Sequence, residues 1–379
     1  MAWCWTASAL MGCAEWPKAA EMSPKPTVME EVVPPEGVAY LWQSVVGHWQ
    51  VLQAARPVAE WLADPATPTT TASRLQQTAG MRRFAVQELA LPDNASYTRY
   101  ADLQRPAVVW NVVVAPSDSL KLQTWCFPLM GCVGYRGYFL KEHAQAFARQ
   151  WAQQGWDTLV YPVPAYSTLG WTNWLGGDPL LNTMLAYPQG ELARLLFHEL
   201  AHQQVYAADD TAFNESYATA VERLGGARWM ALAGPEVVAE FERFDARRQA
   251  FRALTRETRK NLKKIYGSPL DSMDVLATKN INKNHQISEQ KALIMHTFRH
   301  NYERLKAEWG GYSGYDAWVA QANNAAFAVQ AAYDQWVPAF EALFAREGHD
   351  FAAFHAAVAR LAKWPAAQRQ QALQALMPE

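Results

Sequence analysis

The segment from Glu191 to His202 most constrains how this chain of 379 residues can fold. Its sequence, ELARLLFHELAH, has the period and the propensity of a helix and contains the pattern H-E-x-x-H. A spacing of four residues places His198 and His202 on one face of that helix, one turn apart. Apolar residues surround both histidines, so we expect their imidazoles on a buried face, where they need polar partners. The chain must therefore fold around an internal helix that carries two histidines.

The H-E-x-x-H pattern is typical of helices that bind one zinc ion through both histidines. Glu199 follows the first histidine and can contact a water molecule without binding the metal, which is the position that a general base needs. Three protein ligands and one water make an open, catalytic zinc site rather than a closed, structural one. The alternative interpretation is that His198 and His202 are core histidines of a structural helix.

A third metal ligand is expected on the next predicted helix. Glu215 follows His202 after 12 intervening residues, in the first turn of a helix that would run back along the motif. Glu222 shares the face of Glu215, so it is predicted to orient an imidazole or the ligand, with a surface or salt-bridged glutamate as the equal alternative. Asp209 and Asp210 compete with Glu215 for the ligand role, but helix capping is the favoured interpretation of both.

A second pair of histidines has the same spacing but a different context. His296 and His300 are four residues apart on another predicted helix, in the sequence HTFRH. The residue after the first histidine is Thr297, which cannot act as a base, and the flanking residues are polar. We therefore expect this pair to face solvent rather than bind a metal.

The N-terminus resembles the leader of a bacterial lipoprotein. A short apolar run ends at Leu10-Met11-Gly12-Cys13, and in lipoproteins the cysteine of such a run becomes the lipidated first residue. The usual basic start is absent, and the alternative is a buried N-terminal segment. Residues 14–38 are rich in Pro, Glu and Lys, which predicts a solvated tether. The interpretation implies an exported protein, periplasmic or held at the membrane by a lipid on Cys13.

Two further cysteines lie close together in TWCFPLMGCVGYRGYF. Five residues separate Cys126 from Cys132, which is too many for a typical metal knuckle, and no second pair is available to complete one. In an oxidising compartment they are expected to close a small disulfide loop, with two buried free thiols as the alternative.

The order of the predicted elements indicates an α+β fold. Apolar periodicity predicts helices at the start, then three segments rich in β-branched and aromatic residues, then a long helical half. The polar segment 267–284 is predicted to be a loop. The predicted helices are 40–63, 72–90, 141–153, 189–206, 211–229, 235–266, 287–309, 314–347 and 350–376, and the predicted strands lie in 107–116, 132–140 and 157–170.

Composition excludes several classes of protein. Half of the residues are apolar, which is globular composition, and the formal net charge of -2 argues against binding to nucleic acid. No apolar stretch beyond the N-terminus is long enough to predict a membrane-spanning helix. Residues 241–310 carry an excess of basic side chains, but acidic residues alternate with them, so a solvated face is favoured over a surface for an anionic partner.

Over nearly its whole length, from about Tyr40, the chain resembles a bacterial family of predicted aminopeptidases that are also predicted zinc lipoproteins. The segments that carry the resemblance include LQAARPVAEWLADPATP, VVWNVVVAP, TWCFPLMGCVGYRGYF, ELARLLFHELAHQQVY, DDTAFNESYATAVERLG and KAEWGGYSGYDAW. The resemblance implies a mostly helical, zincin-like metallopeptidase with a small sheet before the active-site helix. It also implies His198, His202 and Glu215 as ligands of Zn²⁺ and Glu199 as the base.

The chain departs from better-known zincins that have a glutamate ligand. Those proteins usually place the glutamate farther from the second histidine. They also tend to carry a carboxylate three or four positions after it, where this chain has Ala218 and Thr219. Both differences bear on the roles of Glu215 and Glu222.

The expected function is zinc-dependent hydrolysis of peptides. The sequence is compatible with an aminopeptidase, an endopeptidase or an oligopeptidase. An oxyanion needs a further donor, for which Tyr166, Tyr206 and Tyr217 are the candidates, although a packing aromatic is the favoured interpretation of each. Asp178 is the candidate for the acidic group that would hold the free α-amine of an aminopeptidase substrate. The rival hypothesis is a non-catalytic envelope lipoprotein in which zinc only stabilises a binding module.

The expected organisation is a leader and tether in residues 1–38 and a peptidase domain in residues 39–379. That domain would comprise N-terminal helices plus the sheet (39–186), the zinc-site helices (187–232) and a helical subdomain (233–379).

Overall fold

A computed structural model describes residues 32–127, 131–165, 168, 176–267 and 277–377 of the chain. The predicted leader with Cys13 and the predicted donor Tyr166 lie outside these residues. Within them the protein is a mixed α+β structure in which helices predominate, so the predicted fold class is confirmed at that level.

The N-terminal part begins with α1 (Gly37–Ala54), β1 (Arg56–Pro57), α2 (Val58–Ala63) and α3 (Thr69–Leu89). The prediction of one helix over 40–63 was wrong at its centre. Pro57 has no N–H to donate and disfavours a helical conformation in the residue before it, so the chain is extended at β1 before α2 begins. β1 pairs with β2 (Arg99–Ala101), which pairs in parallel with β8 (Leu180–Leu181).

A three-stranded antiparallel sheet has β3 (Val109–Pro116) at its centre, between β6 (Arg136–Tyr138) and β7 (Trp156–Val163). Side chains of a strand alternate between its two faces. Val112 and Val114 pack with Phe147 of α4 (Lys141–Gln153), whereas Val113 faces the main core. Because both faces are covered, six of the eight residues of β3 are buried.

The predicted strand over 132–140 is two strands in the structure. β4 (Trp125–Phe127) and β5 (Gly131–Val133) form a hairpin, and β6 joins the other sheet after a break at Gly134 and Tyr135. Cys126 and Cys132 stand opposite each other in the hairpin and are bonded, so the predicted disulfide is confirmed.

The remaining described elements are helices, and most have the predicted positions. The predicted loop over 267–284 was wrong for residues 277–284, which are helical. The predicted helix over 314–347 is broken, in part because Asn323 caps a new helix by accepting a hydrogen bond from the Ala326 N–H. These helices are α5 (Asn182–Leu185), α6 (Gln189–Gln204), α7 (Thr211–Met230), α8 (Pro235–Gly267), α9 (Ala277–Glu308), α10 (Asp316–Ala320), α11 (Asn324–Asp334), α12 (Val337–Arg346), α13 (Phe351–Ala362) and α14 (Ala366–Leu376).

The helix that contains the motif lies at the centre of the molecule. Every residue from Gly190 to His202 in α6 is buried, and one connected apolar core extends from Val51 to Leu373. A helix covered on all sides can present polar groups only to other buried groups. The division of the chain into three parts stays a prediction. None of the described helices is both long and apolar enough to cross a membrane.

Candidate metal centre

Helices α6 and α7 form an antiparallel hairpin whose connection is held by the first turn of α7. Asp210 caps α7 by accepting a hydrogen bond from the Phe213 N–H at 3.0 Å. The side chain of Asn214 accepts from the Ala207 N–H and donates to the Ala207 carbonyl, both at 2.8 Å. These contacts fix the start of α7, so the next residue, Glu215, faces back toward the motif in α6.

The structure brings His198, His202 and Glu215 together. The Nε2 atoms of the two histidines are 3.1 Å apart, and Glu215 Oε2 lies 3.3 Å from His198 Nε2 and 3.8 Å from His202 Nε2. All three residues are at most 2% exposed, and their possible ligand atoms lie within 4.8 Å of one another. Three donor atoms therefore converge on one buried point, in the arrangement that the sequence predicted.

The residues at this point fit a divalent cation. Glu215 Oε2 is buried beside the Nε2 atoms of His198 and His202, and a buried carboxylate is costly unless positive charge balances it. His202 Nδ1 is buried without a hydrogen-bond partner among the described residues. Carboxyl groups outnumber guanidinium groups in and behind the centre, so a bound cation can balance the excess negative charge. The carboxyl groups are Glu191, Glu215, Glu222 and Asp245, and the guanidinium groups are Arg194, Arg248 and Arg252. Two imidazoles and one carboxylate are a donor set that suits zinc.

Glu222 lies behind His198 on the side away from this point. Its Oε2 is 3.0 Å from His198 Nδ1, and its Oε1 accepts a hydrogen bond from Arg194 at 2.6 Å. An imidazole that donates from Nδ1 can bind a metal only through Nε2, the atom that faces Glu215, once the proton on Nε2 has been released. Since Glu222 is 1% exposed, the surface alternative was wrong, whereas the contact with Arg194 is the salt bridge that was the other possibility.

The pKa values of the two histidines change in opposite directions. Burial lowers the pKa of His198, but hydrogen bonds and charge from Glu215 and Glu222 outweigh burial and raise the pKa to about 10. Burial and the neighbouring His198 lower the pKa of His202. Burial would raise the pKa of Glu222, yet Arg194 and His198 lower it to about 2. Glu222 is therefore held as a carboxylate that accepts hydrogen bonds.

The other predicted site residues in this region have separate positions. Glu199 is fully buried in α6, directly after His198, and is not one of the three converging groups. Asp210 caps α7 and forms an ion pair with Arg369 at 2.8 Å, so it is not a ligand of this centre. Asp209 is exposed, with a positive φ of 60°. Capping was thus the right interpretation of Asp210.

The predicted oxyanion donors Tyr217 and Tyr206 lie in different environments. Tyr217 is fully buried, and its hydroxyl lies 2.8 Å from His355 Nδ1. His355 Nε2 must donate to the Leu89 carbonyl at 2.8 Å, so Nδ1 accepts and the hydroxyl of Tyr217 donates to it. The hydroxyl of Tyr217 is therefore used inside the core, which agrees with the favoured interpretation of this residue as a packing aromatic. Tyr206 is half-buried just beyond the end of α6.

Asp178 anchors the chain instead of offering a free carboxylate. One of its oxygens accepts from the Thr168 N–H at 2.9 Å and the other from the Thr168 hydroxyl at 2.7 Å. Gln203, which directly follows His202, donates to Asp178 at 3.1 Å. Both oxygens accept hydrogen bonds from the chain itself, so this geometry gives no support to a role for Asp178 in holding a substrate amine.

The second histidine pair is exposed, as predicted. His296 and His300 lie on the outer side of α9, whereas Met295 and Phe298 of the same helix face the core.

Arg194 is a residue of this centre that the sequence interpretation missed. It lies one helical turn before His198, is 1% exposed and contacts Glu222. A signal was present, because an arginine on the same face of a largely apolar helix needs a buried acidic partner.

A family model described as "Putative aminopeptidase" matches residues 39–373 of the chain. No curated protein and no solved structure matches it.

Proposed function

This chain belongs to the family described as "Putative aminopeptidase", and on that premise we propose that it is a zinc-dependent peptidase with a zincin-like active site. The proposed ligands of Zn²⁺ are His198, His202 and Glu215, and the proposed general base is Glu199. The substrate is a peptide, and the family description favours cleavage at its amino end.

One observation carries the proposal, namely the buried convergence of three possible donor atoms from His198, His202 and Glu215. A structural zinc site is usually closed by four protein ligands, whereas three ligands leave a position for water. The convergence on this point involves three side chains among the described residues. A structural site would also have no need for the buried carboxylate of Glu199, which follows His198 directly.

The chemistry divides between the metal and the chain. A zinc ion held by these ligands would supply Lewis acidity, which lowers the pKa of water and polarises a carbonyl group. Glu199 accepts the proton of the attacking water and delivers it to the leaving amine. Glu222 keeps the Nδ1–H of His198 engaged, so that the Nε2 lone pair stays directed at the centre.

The decisive variant is Glu199→Gln, which preserves size and removes the base. We expect hydrolysis of a peptide library to fall by about 10²–10⁴-fold, with zinc content unchanged at about one ion per chain by elemental mass spectrometry. Glu289→Gln is the control, because Glu289 is an exposed glutamate on α9. Full activity in Glu199→Gln would contradict the proposed base.

The zinc content separates this proposal from its rival. A wild-type protein that binds zinc but cleaves no peptide in a broad screen would favour the non-catalytic, zinc-stabilised binding module. A wild-type protein that binds no zinc would overturn both hypotheses.

We also propose that the protein is exported and lipidated at Cys13. The support is the leader-like run that ends at Cys13 and the disulfide between Cys126 and Cys132, since disulfides persist in oxidising compartments. Metabolic labelling with a fatty acid should mark the wild-type chain but not Cys13→Ser. Equal labelling of the two proteins would contradict the proposal.

A further inference from the structure

Arg194 connects the proposed zinc centre to two other helices. Its guanidinium contacts carboxylates from α6, α7 and α8, namely Glu191 at 3.7 Å, Glu222 at 2.6 Å and Asp245 at 3.4 Å. The side chain is fully buried, so these carboxylates are what balances its charge. One arginine therefore holds the same glutamate that contacts His198.

The neighbouring helix is shaped around the stem of this arginine. Gly226 lies one turn after Glu222 on α7, and a Cβ atom at Gly226 would be only 2.8 Å from Arg194 Cγ and 3.3 Å from Cδ. An alanine there would gain helix propensity but would displace Arg194. The glycine thus gives independent support for a site built to receive Arg194.

The charged groups continue away from the metal. Arg248 of α8 donates to Glu191 at 2.5 Å and also contacts Asp245, whose side chain is 35% exposed. Groups of alternating charge therefore extend from His198 through Glu222 and Arg194 to the surface of α8. Such a chain holds each member in one orientation, because turning any group leaves a buried charge unpaired.

We infer that Arg194 is a positioning residue of the zinc centre, which acts on His198 by fixing the carboxylate of Glu222. With Arg194 bound to Oε1, only Oε2 of Glu222 remains for His198 Nδ1. Without that contact the carboxylate can rotate, and the imidazole loses its fixed orientation toward the ion. This inference rests on the proposed function and adds to it a residue that touches neither zinc nor substrate.

The test measures zinc affinity of the full chain by competition with a chelator. We expect Arg194→Lys, which keeps the charge but loses the planar fork, to weaken binding by about 10–100-fold, as loss of outer contacts does at other zinc sites. The same substitution in a Glu222→Gln background should change affinity by less than about twofold, because the group through which Arg194 acts is already altered. If Arg194 had a purely structural role, the losses of zinc affinity in Arg194→Lys and Glu222→Gln would instead multiply in the double variant.

A pair of glycine variants gives a second route that keeps Arg194 in place. Gly226→Ala places a Cβ atom against Arg194. Gly225 is the preceding residue of α7, and a Cβ atom there would instead meet Leu89 at 2.6 Å and Phe197 at 3.2 Å. We expect Gly226→Ala to weaken zinc binding by about tenfold and the matched Gly225→Ala to change it by less than about twofold.

The outcomes separate the inference from the proposed function. Wild-type affinity in folded Gly226→Ala or Arg194→Lys, or effects that multiply with Glu222→Gln, would overturn the role of Arg194 and leave the zinc site intact. Absence of zinc binding by the wild-type chain would overturn the proposed function and this inference together.

Discussion

Two histidine pairs with identical spacing have opposite surroundings in this protein. His198 and His202 lie on α6, which is buried on all sides, whereas His296 and His300 lie on the outer side of α9. Both pairs can present two imidazoles one turn apart. The spacing alone therefore does not distinguish a metal centre from a solvated helix face.

The difference lies in what the rest of the chain brings to each pair. Around α6 the helix α7 supplies Glu215 as a converging oxygen and Glu222 as a partner for Nδ1 of His198. Burial makes these groups necessary, because an imidazole or a carboxylate without a partner is costly inside a protein. A solvated pair meets no such demand, since water satisfies its nitrogens.

The largest expected effect comes from removing one member of each pair. His202→Gln should weaken zinc binding by about a thousandfold, because each ligand carries several kcal/mol of the metal's binding free energy. The double variant His296→Gln/His300→Gln should retain wild-type affinity. Both are measured by chelator competition, and equal losses in the two proteins would show that burial does not distinguish the pairs.

The centre was predictable from the sequence to the extent that it depends on local periodicity. Spacing of four residues in α6 and of seven in α7 placed His198, His202, Glu215 and Glu222 on the correct faces. The fold class was likewise predictable, because β-branched runs and helical periods follow each other in a clear order.

What the sequence did not reveal depends on contacts between distant segments. Asp245 lies on α8, and nothing in its local sequence indicates that it pairs with Arg194. The contacts of Asp178 depend on the fold in the same way, since its partners Thr168 and Gln203 are defined only by the folded chain. Residues 277–284 are polar enough to predict a loop, yet they extend α9, and tertiary context decides such cases.

The second comparison sets a buried ion pair against an exposed one, and its expected effect is smaller than that of removing a proposed zinc ligand. Asp210 and Arg369 have side chains that are 8% and 5% exposed, whereas Glu257 and Lys260 on α8 are more than half exposed. Asp210→Ala removes a helix cap and leaves the buried charge of Arg369 without its carboxylate, so we expect the free energy of unfolding to fall by about 3 kcal/mol.

The control for this pair is Glu257→Gln. Its expected effect is below about 0.5 kcal/mol, because exposed ion pairs are screened by solvent. Chemical denaturation of both variants measures the two changes. A loss in Asp210→Ala no larger than that in the control would mean that α7 does not depend on this cap.

The smallest expected effect separates a buried histidine from an exposed one through pH. Burial lowers the pKa of His355 to about 4, with Tyr217 and the Leu89 carbonyl as partners and Asp350 nearby. The unfolded chain has the ordinary value near 6.5, so it binds the proton more readily than the folded chain as the pH falls from 6.5 to 4. The stability that His355 contributes is therefore complete above pH 6.5 and is lost as the pH falls toward 4.

Between pH 7 and pH 5 this loss amounts to about 2 kcal/mol in the wild-type protein. His355→Gln removes the titrating group, so its free energy of unfolding should fall by about 2 kcal/mol less over the same interval. His300→Gln is the matched control, because it removes an exposed imidazole and should keep the wild-type slope. Denaturant unfolding at pH 7 and pH 5 measures all three proteins. Identical slopes for wild type and His355→Gln would mean that the imidazole is as accessible to protons in the folded chain as in the unfolded one, which contradicts its burial against Tyr217.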